Sequence, residues 1–184
     1  FLHAAARLWN SVRHVFSFGG QEMRPTDEDF QALMESERNE EILPQLRFGH
    51  VQALGHMYGL TLHDARSLIH DGELDIPSLV RWFSDAGDRD DHHWQGYQRH
   101  MLCLCLLSYF LLAPGSGGFS VQLIEVAHGL KEGKSCTAMT LAETLMGLDA
   151  FHRRETDRLA GSKLLLQVMI PTQSHICIAH VKRL

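Results

Sequence analysis

The sequence predicts an all-α fold, a compact helical domain of about eight helices with one small N-terminal β-hairpin. Three observations predict it. Apolar residues recur at three- and four-residue spacing along most of the chain, helix-start residues stand ahead of those runs, and period-two alternation is confined to the stretch around Gly19-Gly20. The expected organisation is one domain over residues 1–184. A first short helix and hairpin fill 1–25, a helical body fills 26–170, and a tail over 171–184 is left unassigned.

Taken in order, Leu2, Ala5, Leu8, Trp9 and Val12 fall on one helical face and predict the first helix. "HVFSF" and "QEM" around Gly19-Gly20 predict a hairpin, which Pro25 ends. Thr26 is an N-cap. Asp27, Glu28 and Asp29 fill the first turn, where carboxylates complement the helix dipole, and Phe30, Leu33 and Met34 face inward. "LRFGHVQALGHMYG" predicts a helix burying Phe48, Val51, Leu54 and Tyr58. "TLHDARSLIH" opens with a capping box from Thr61 to Asp64 and buries Leu62, Ala65, Leu68 and Ile69. Asp75 and Pro77 start the next helix. A long helix is expected from about Asp91 to Ala113, stopped by Pro114, with Ser120 capping the one after it. "SCTAMTLAETLMGLDAFHRRETDRL" reads as one long helix carrying Leu141, Leu145, Leu148 and Phe151, and "SKLLLQVMI" as a further core helix.

The balance of 17 basic against 22 acidic residues leaves a net charge of -5, which disfavours the broad basic footprint that neutralises phosphates. Cys103, Cys105, Cys136 and Cys177 form no CxxC pair, so they predict reduced, mostly buried thiols in an intracellular compartment. The apolar run Met101 to Ala113 falls short of the about 20 residues that cross a bilayer, and reads as a buried core helix. No membrane partner is expected.

Each chemical motif gives way to a structural reading. The acidic triplet diverges by about 100° per residue around a helix, so it caps rather than converging on a cation. "GLKEGKSCT" ends like a phosphate-cradling loop, but Gly129 stands one residue too late and no strand feeds it, so an interhelical turn capped by Ser135 or Thr137 is expected. His93, Tyr97 and His100 share a helical face below Asp90 and Asp91, yet the two histidines lie about 10 Å apart, too far for one ion. His50, His56, His63 and His70 read as exposed or satisfied histidines, and Trp9, Trp82 and Trp94 as packing residues. No catalytic, cofactor-binding or metal residue is assigned, no cofactor is implied, and the chain reads as a non-enzyme.

"AAARLWN", "VFSFGGQEMRPTDEDFQALM", "LKEGKSCTAM" with "LAETLMGLD", and "GSKLLLQVMI" stand in an order that resembles the plant mobile domain family, also called aminotransferase-like plant mobile domains, and its retrotransposon-associated relatives. The likeness spans Ala4 to about Ile170, beyond which the chain departs from the pattern. Its most specific block supplies a structural signature: Phe18, Gly19, Gly20, Pro25, Thr26, Phe30, Leu33 and Met34. The resemblance implies a transposon-derived, non-catalytic helical module in the nucleus, with roles in transposon silencing and genome stability. It also implies a phosphatase-like protein partner; self-association is the alternative to a protein partner. No pyridoxal-phosphate site accompanies the label, since Lys131, Lys134, Lys163 and Lys182 fall in turns, by a helix start or in the tail. Two alternatives stand beside this reading. One is a nucleic-acid-associated element protein using Arg153, Arg154 and Arg158 or Lys182 and Arg183; the other is a metal-dependent enzyme.

Overall fold

The computed structural model describes residues 4, 6–18, 20–35, 40–43, 49–85, 92–115 and 118–170. The chain is mostly helical, as the spacing predicts, but carries two three-stranded antiparallel sheets where one hairpin was expected. Its residues group into two compact units. One comprises Phe1–Glu41, Phe110–Ser116 and Ser135–Leu184; the other comprises Ile42–Tyr109 and Gly117–Lys134.

In the first unit the predicted opening helix yields to a strand. Residues 4 and 6 are helical, but β1 (Trp9–Asn10) pairs with β2 (Val15–Phe18), in register Trp9 to Phe16. Asn10 decides this. Its side-chain oxygen accepts hydrogen bonds from the Val12 and Arg13 amides, each at 3.1 Å, which offers the backbone a turn in place of a helix. Val12, expected on an apolar face, is 91% exposed. The hairpin to β3 (Gln21–Met23) forms as predicted, with Phe18 opposite Gln21 and Gly20 at φ +86.

Helix α1 (Asp27–Leu33) starts on a complete capping box. The Asp29 amide donates to Thr26 Oγ1 at 3.2 Å, and the Thr26 amide donates to Asp29 Oδ2 at 3.1 Å. Phe30 is fully buried with Trp9, Phe16, Leu148 and Leu166, while Phe18, Leu33 and Met34 pack against that cluster.

The last helix predicted to run through Leu159 stops sooner. It spans Thr137–His152, and a shorter helix follows over 163–170, with Ser162 Oγ accepting from the Leu165 amide at 3.2 Å. The stop is a Schellman turn: Arg154 donates to Phe151 O, Glu155 donates to Ala150 O, and Arg154 takes φ +61. Arg153, Arg154 and Arg158 therefore do not share a helix. One face of the longer helix is lined by small and hydroxyl-bearing residues. Thr137, Thr140, Thr144 and Gly147 are buried, and Thr144 Oγ1 both donates to Thr140 O at 2.6 Å and accepts from the Ser162 amide at 2.9 Å. That hydroxyl ties the segment before the last helix to the helix surface.

In the second unit, α2 (His50–Tyr58) ends on left-handed Gly59, and α3 (Leu62–Ser67) starts on the predicted Thr61 cap. Leu62, expected in the core, is 60% exposed. Ile69 and His70, assigned to that helix, instead form β4 and pair with β5 (Glu73–Leu74) across Asp71-Gly72, both at positive φ, the backbone of a tight hairpin turn. Ser120, expected as a helix cap, belongs to β6 (Phe119–Ser120), which pairs with β5. Helix α4 (Ile76–Asp85) begins where predicted, Asp75 Oδ1 accepting from the Ser78 amide at 2.9 Å. Helix α5 (His92–Leu106) runs into a π-helical turn over Leu107–Leu111, whose last two residues belong to the first unit, and α6 (Leu123–Lys131) packs against α5 and α2. The two later helices of the first unit are accordingly α7 (Thr137–His152) and α8 (163–170).

Candidate functional site

Within the second unit the histidine face does not gather. His93 is exposed, Tyr97 lies over Gly59, and His100 Nδ1 stands 3.1 Å from the Met57 carbonyl. Asp90 and Asp91 lie outside the described residues. His50 Nε2 faces Glu125 Oε1 at 3.3 Å, whereas His56, His63 and His70 are exposed. Among the described residues, no group of three or more metal-capable side chains converges.

The phosphate-loop near-miss resolves into helix and turn. Gly129 lies inside α6, where a Cβ would come 2.7 Å from Ile42, and Gly133 closes that helix at φ +79. Lys134 Nζ pairs with Glu132 at 3.4 Å. In the first unit, the Ser135 amide donates to Glu40 O at 2.9 Å, and Ser135 Oγ accepts from the Thr137 amide at 3.1 Å. Of the signature residues, Pro25 is buried, Thr26 caps α1, and Gly19 lies outside the described residues.

Trp82 and Trp94 do pack together, with ring centroids 5.9 Å apart, and Phe83 stacks on Trp94. Beside Phe83 and His100, Tyr58 is fully buried and its hydroxyl has no hydrogen-bond partner among the described residues. Burial pushes its phenol well above the ordinary tyrosine range, with smaller contributions from Cys103 and Cys105. Burial also raises both of those half-buried thiols, so neither is poised as a nucleophile. Cys136 is buried; Cys177 lies outside the described residues.

Three features escaped the sequence reading. The first is an apolar stripe on α5 and the turn after it. Met101, Leu104 and Leu107 are buried, but Leu102 is 60%, Leu106 47% and Tyr109 48% exposed, at i, i+4 and i+7. The run read as a buried core helix is therefore half uncovered. Tyr109 is braced edge-on by Phe119 at 4.9 Å, and Ser108 Oγ donates to Leu104 O, a back-bond that favours helix bending.

The second feature lies in the first unit. Asp149 Oδ1 accepts from the Trp9 indole at 2.7 Å, and its Oδ2 stands 3.1 Å from His14 Nε2. His14 takes φ +51 and stacks on Trp9, so β1, the following turn and α7 share one polar anchor. The third is an open cleft of about 650 Å³ at the end of α7, which Arg7, Phe151, His152 and Arg154 help to line. No local motif signals it, since its walls lie at opposite ends of the sequence.

Among the described residues no helix is long and apolar enough to cross a membrane. Comparison with family models, with curated proteins and with solved structures finds no match to the chain.

Proposed function

We propose that this chain is a non-catalytic interaction module of the plant mobile domain type, transposon-derived and nuclear, acting through a protein partner in gene silencing or genome stability. The observation that carries the interaction reading is the stripe of Leu102, Leu106 and Tyr109. Isolated exposed apolar residues are ordinary on a soluble surface. Three in helical register on one face match the i, i+4, i+7 anchors by which helices and grooves recognise each other. The π-helical turn carries Tyr109, the third of these residues, and such turns recur at functional positions. The family, the nuclear setting and the phosphatase-like partner rest on the ordered resemblance of the four segments.

The test is co-purification of the tagged chain from plant nuclei, followed by mass spectrometry, with a Leu102→Glu/Leu106→Glu variant in parallel. Both side chains are exposed, Leu102 at 60% and Leu106 at 47%, so the variant is expected to fold. Recovery of one stoichiometric protein by the wild type and not by the variant supports the proposal. Equal recovery by both, or recovery mainly of nucleic acid at moderate salt, overturns it.

A further inference from the structure

We propose that the cleft at the end of α7 binds a small molecule carrying one oxyanionic group, phosphate or carboxylate, on an apolar body. The argument starts from Arg154. It occupies the left-handed position of the Schellman turn, which glycine fills without steric strain, and yet it is an arginine at φ +61. Local folding does not require that side chain; folding would be better served without it. Strained non-glycine residues of this kind concentrate at ligand clamps.

The charges around Arg154 point the same way. Glu155 is occupied by Arg153, whose Nε lies at 2.8 Å and Nη2 at 3.3 Å from its two oxygens. Thr156 is spent on Arg158, accepting from its amide and donating to its carbonyl. That leaves Asp157 as the remaining acid in the lining, against the guanidiniums of Arg7 and Arg154. Neither arginine forms an ion pair among the described residues. The Schellman bonds already occupy carbonyls at the end of α7, which blunts the negative pole that would otherwise repel an anion.

Two guanidiniums present planar forks that match phosphate and carboxylate oxygens alike, so the charge chemistry is shared by both groups. Phe151 supplies an apolar wall, and about 650 Å³ lies within the range of small-molecule sites.

The experiment is calorimetric titration of the full chain with phenyl phosphate, benzoate and phenol, repeated on Arg7→Gln and Arg154→Gly. Saturable binding of phenyl phosphate or benzoate, but not phenol, is expected, with each variant weaker by about tenfold or more. The tighter of the two anions identifies the group as phosphate or carboxylate. Arg154→Gly relieves the backbone, so its thermal midpoint is expected to rise while binding falls, which separates loss of the site from loss of the fold. The proposal is overturned if neither anion saturates, if phenol binds as well as they do, or if both variants keep wild-type affinity. Binding only to a single-stranded oligonucleotide also overturns it.

Discussion

Replacing Gly147 by alanine sets two effects of opposite sign against each other. Gly147 lies in the interior of α7, where glycine to alanine ordinarily stabilises a helix by about 1 kcal/mol. Here the added Cβ would stand 2.4 Å from Ala160 O, 2.8 Å from its carbonyl carbon and 2.9 Å from its Cβ. The obstacle is backbone, and relief requires the 159–162 segment to move outward. That segment is tied by the Ser162 amide to Thr144 Oγ1 at 2.9 Å and by the Gly161 amide to Ala113 O at 2.8 Å, with Leu159 buried between. Overpacking costs about 1–3 kcal/mol, and stranding a buried donor adds about 1–3 kcal/mol. After the propensity gain is deducted, the expected net loss is about 1–5 kcal/mol. Gly96, in α5, is the control, since a Cβ there meets nothing within 4 Å and alanine should be neutral or stabilising by up to about 1 kcal/mol. Urea unfolding followed by circular dichroism reads both. With a slope of about 1–3 kcal/mol per molar, Gly147→Ala should lower the midpoint by roughly 0.3–5 M. A Gly147→Ala protein as stable as Gly96→Ala would refute the packing argument.

Two further outcomes are expected. Thr26→Ala removes the hydroxyl side of the capping box, leaving the Thr26 amide bonded to Asp29, and should cost about 1 kcal/mol by denaturant titration, whereas Thr26→Ser should lose little; equal losses would show that the hydroxyl cap is not what holds α1. Tyr58→Phe removes a buried hydroxyl without a partner and should leave stability unchanged or raise it by about 1 kcal/mol, and a clear loss would reveal an unrecognised hydrogen bond. Because burial raises the Tyr58 pKa, the folded chain keeps a proton that the unfolded chain releases above pH about 10. The stability linked to that proton is intact below pH about 10 and is lost as the pH climbs toward the raised pKa, at up to about 1.4 kcal/mol per unit. The phenylalanine variant should lack this alkaline slope in unfolding measured across that range.

Local signals were readable and long-range ones were not. Thr26 and Thr61 identified their helices because each cap and its partner lie three residues apart, so one short window holds the whole interaction. Asp71-Gly72 carries an equally local hairpin signal, but the helical spacing of Leu62, Ala65 and Leu68 continues through Ile69 and takes in the strand that precedes that turn. The spacing through Trp9 and Val12 fits a helix, and it lost to the Asn10 turn and to pairing with Val15 and Phe16. Over Met101–Ala113 almost every position is apolar, so periodicity has no polar face from which to infer exposure, and only the surrounding elements decide that Leu104 is covered and Leu102 is not. Arg154 read as part of a basic helical cluster because the left-handed turn beneath it lacks its usual glycine. The cleft it lines joins residues 6–7 to 151–157, a juxtaposition with no trace in any window of sequence.

The Trp9–Asp149 bond joins residues 140 positions apart, and Phe16 and Phe30 share their core with Leu148, Leu165 and Leu166. A ribosome issues the chain from one end, so the nascent aromatic strands can pair with one another but lack the Leu148, Leu165 and Leu166 side of their core until α7 and α8 emerge. At about 5–20 residues per second, that interval is on the order of 10 s. Throughout it the aromatic faces of β1–β3 are sticky, while the residues of the second unit have already been delivered. Chaperone dependence during synthesis is therefore expected to concentrate on the opening strands rather than on the middle of the polypeptide.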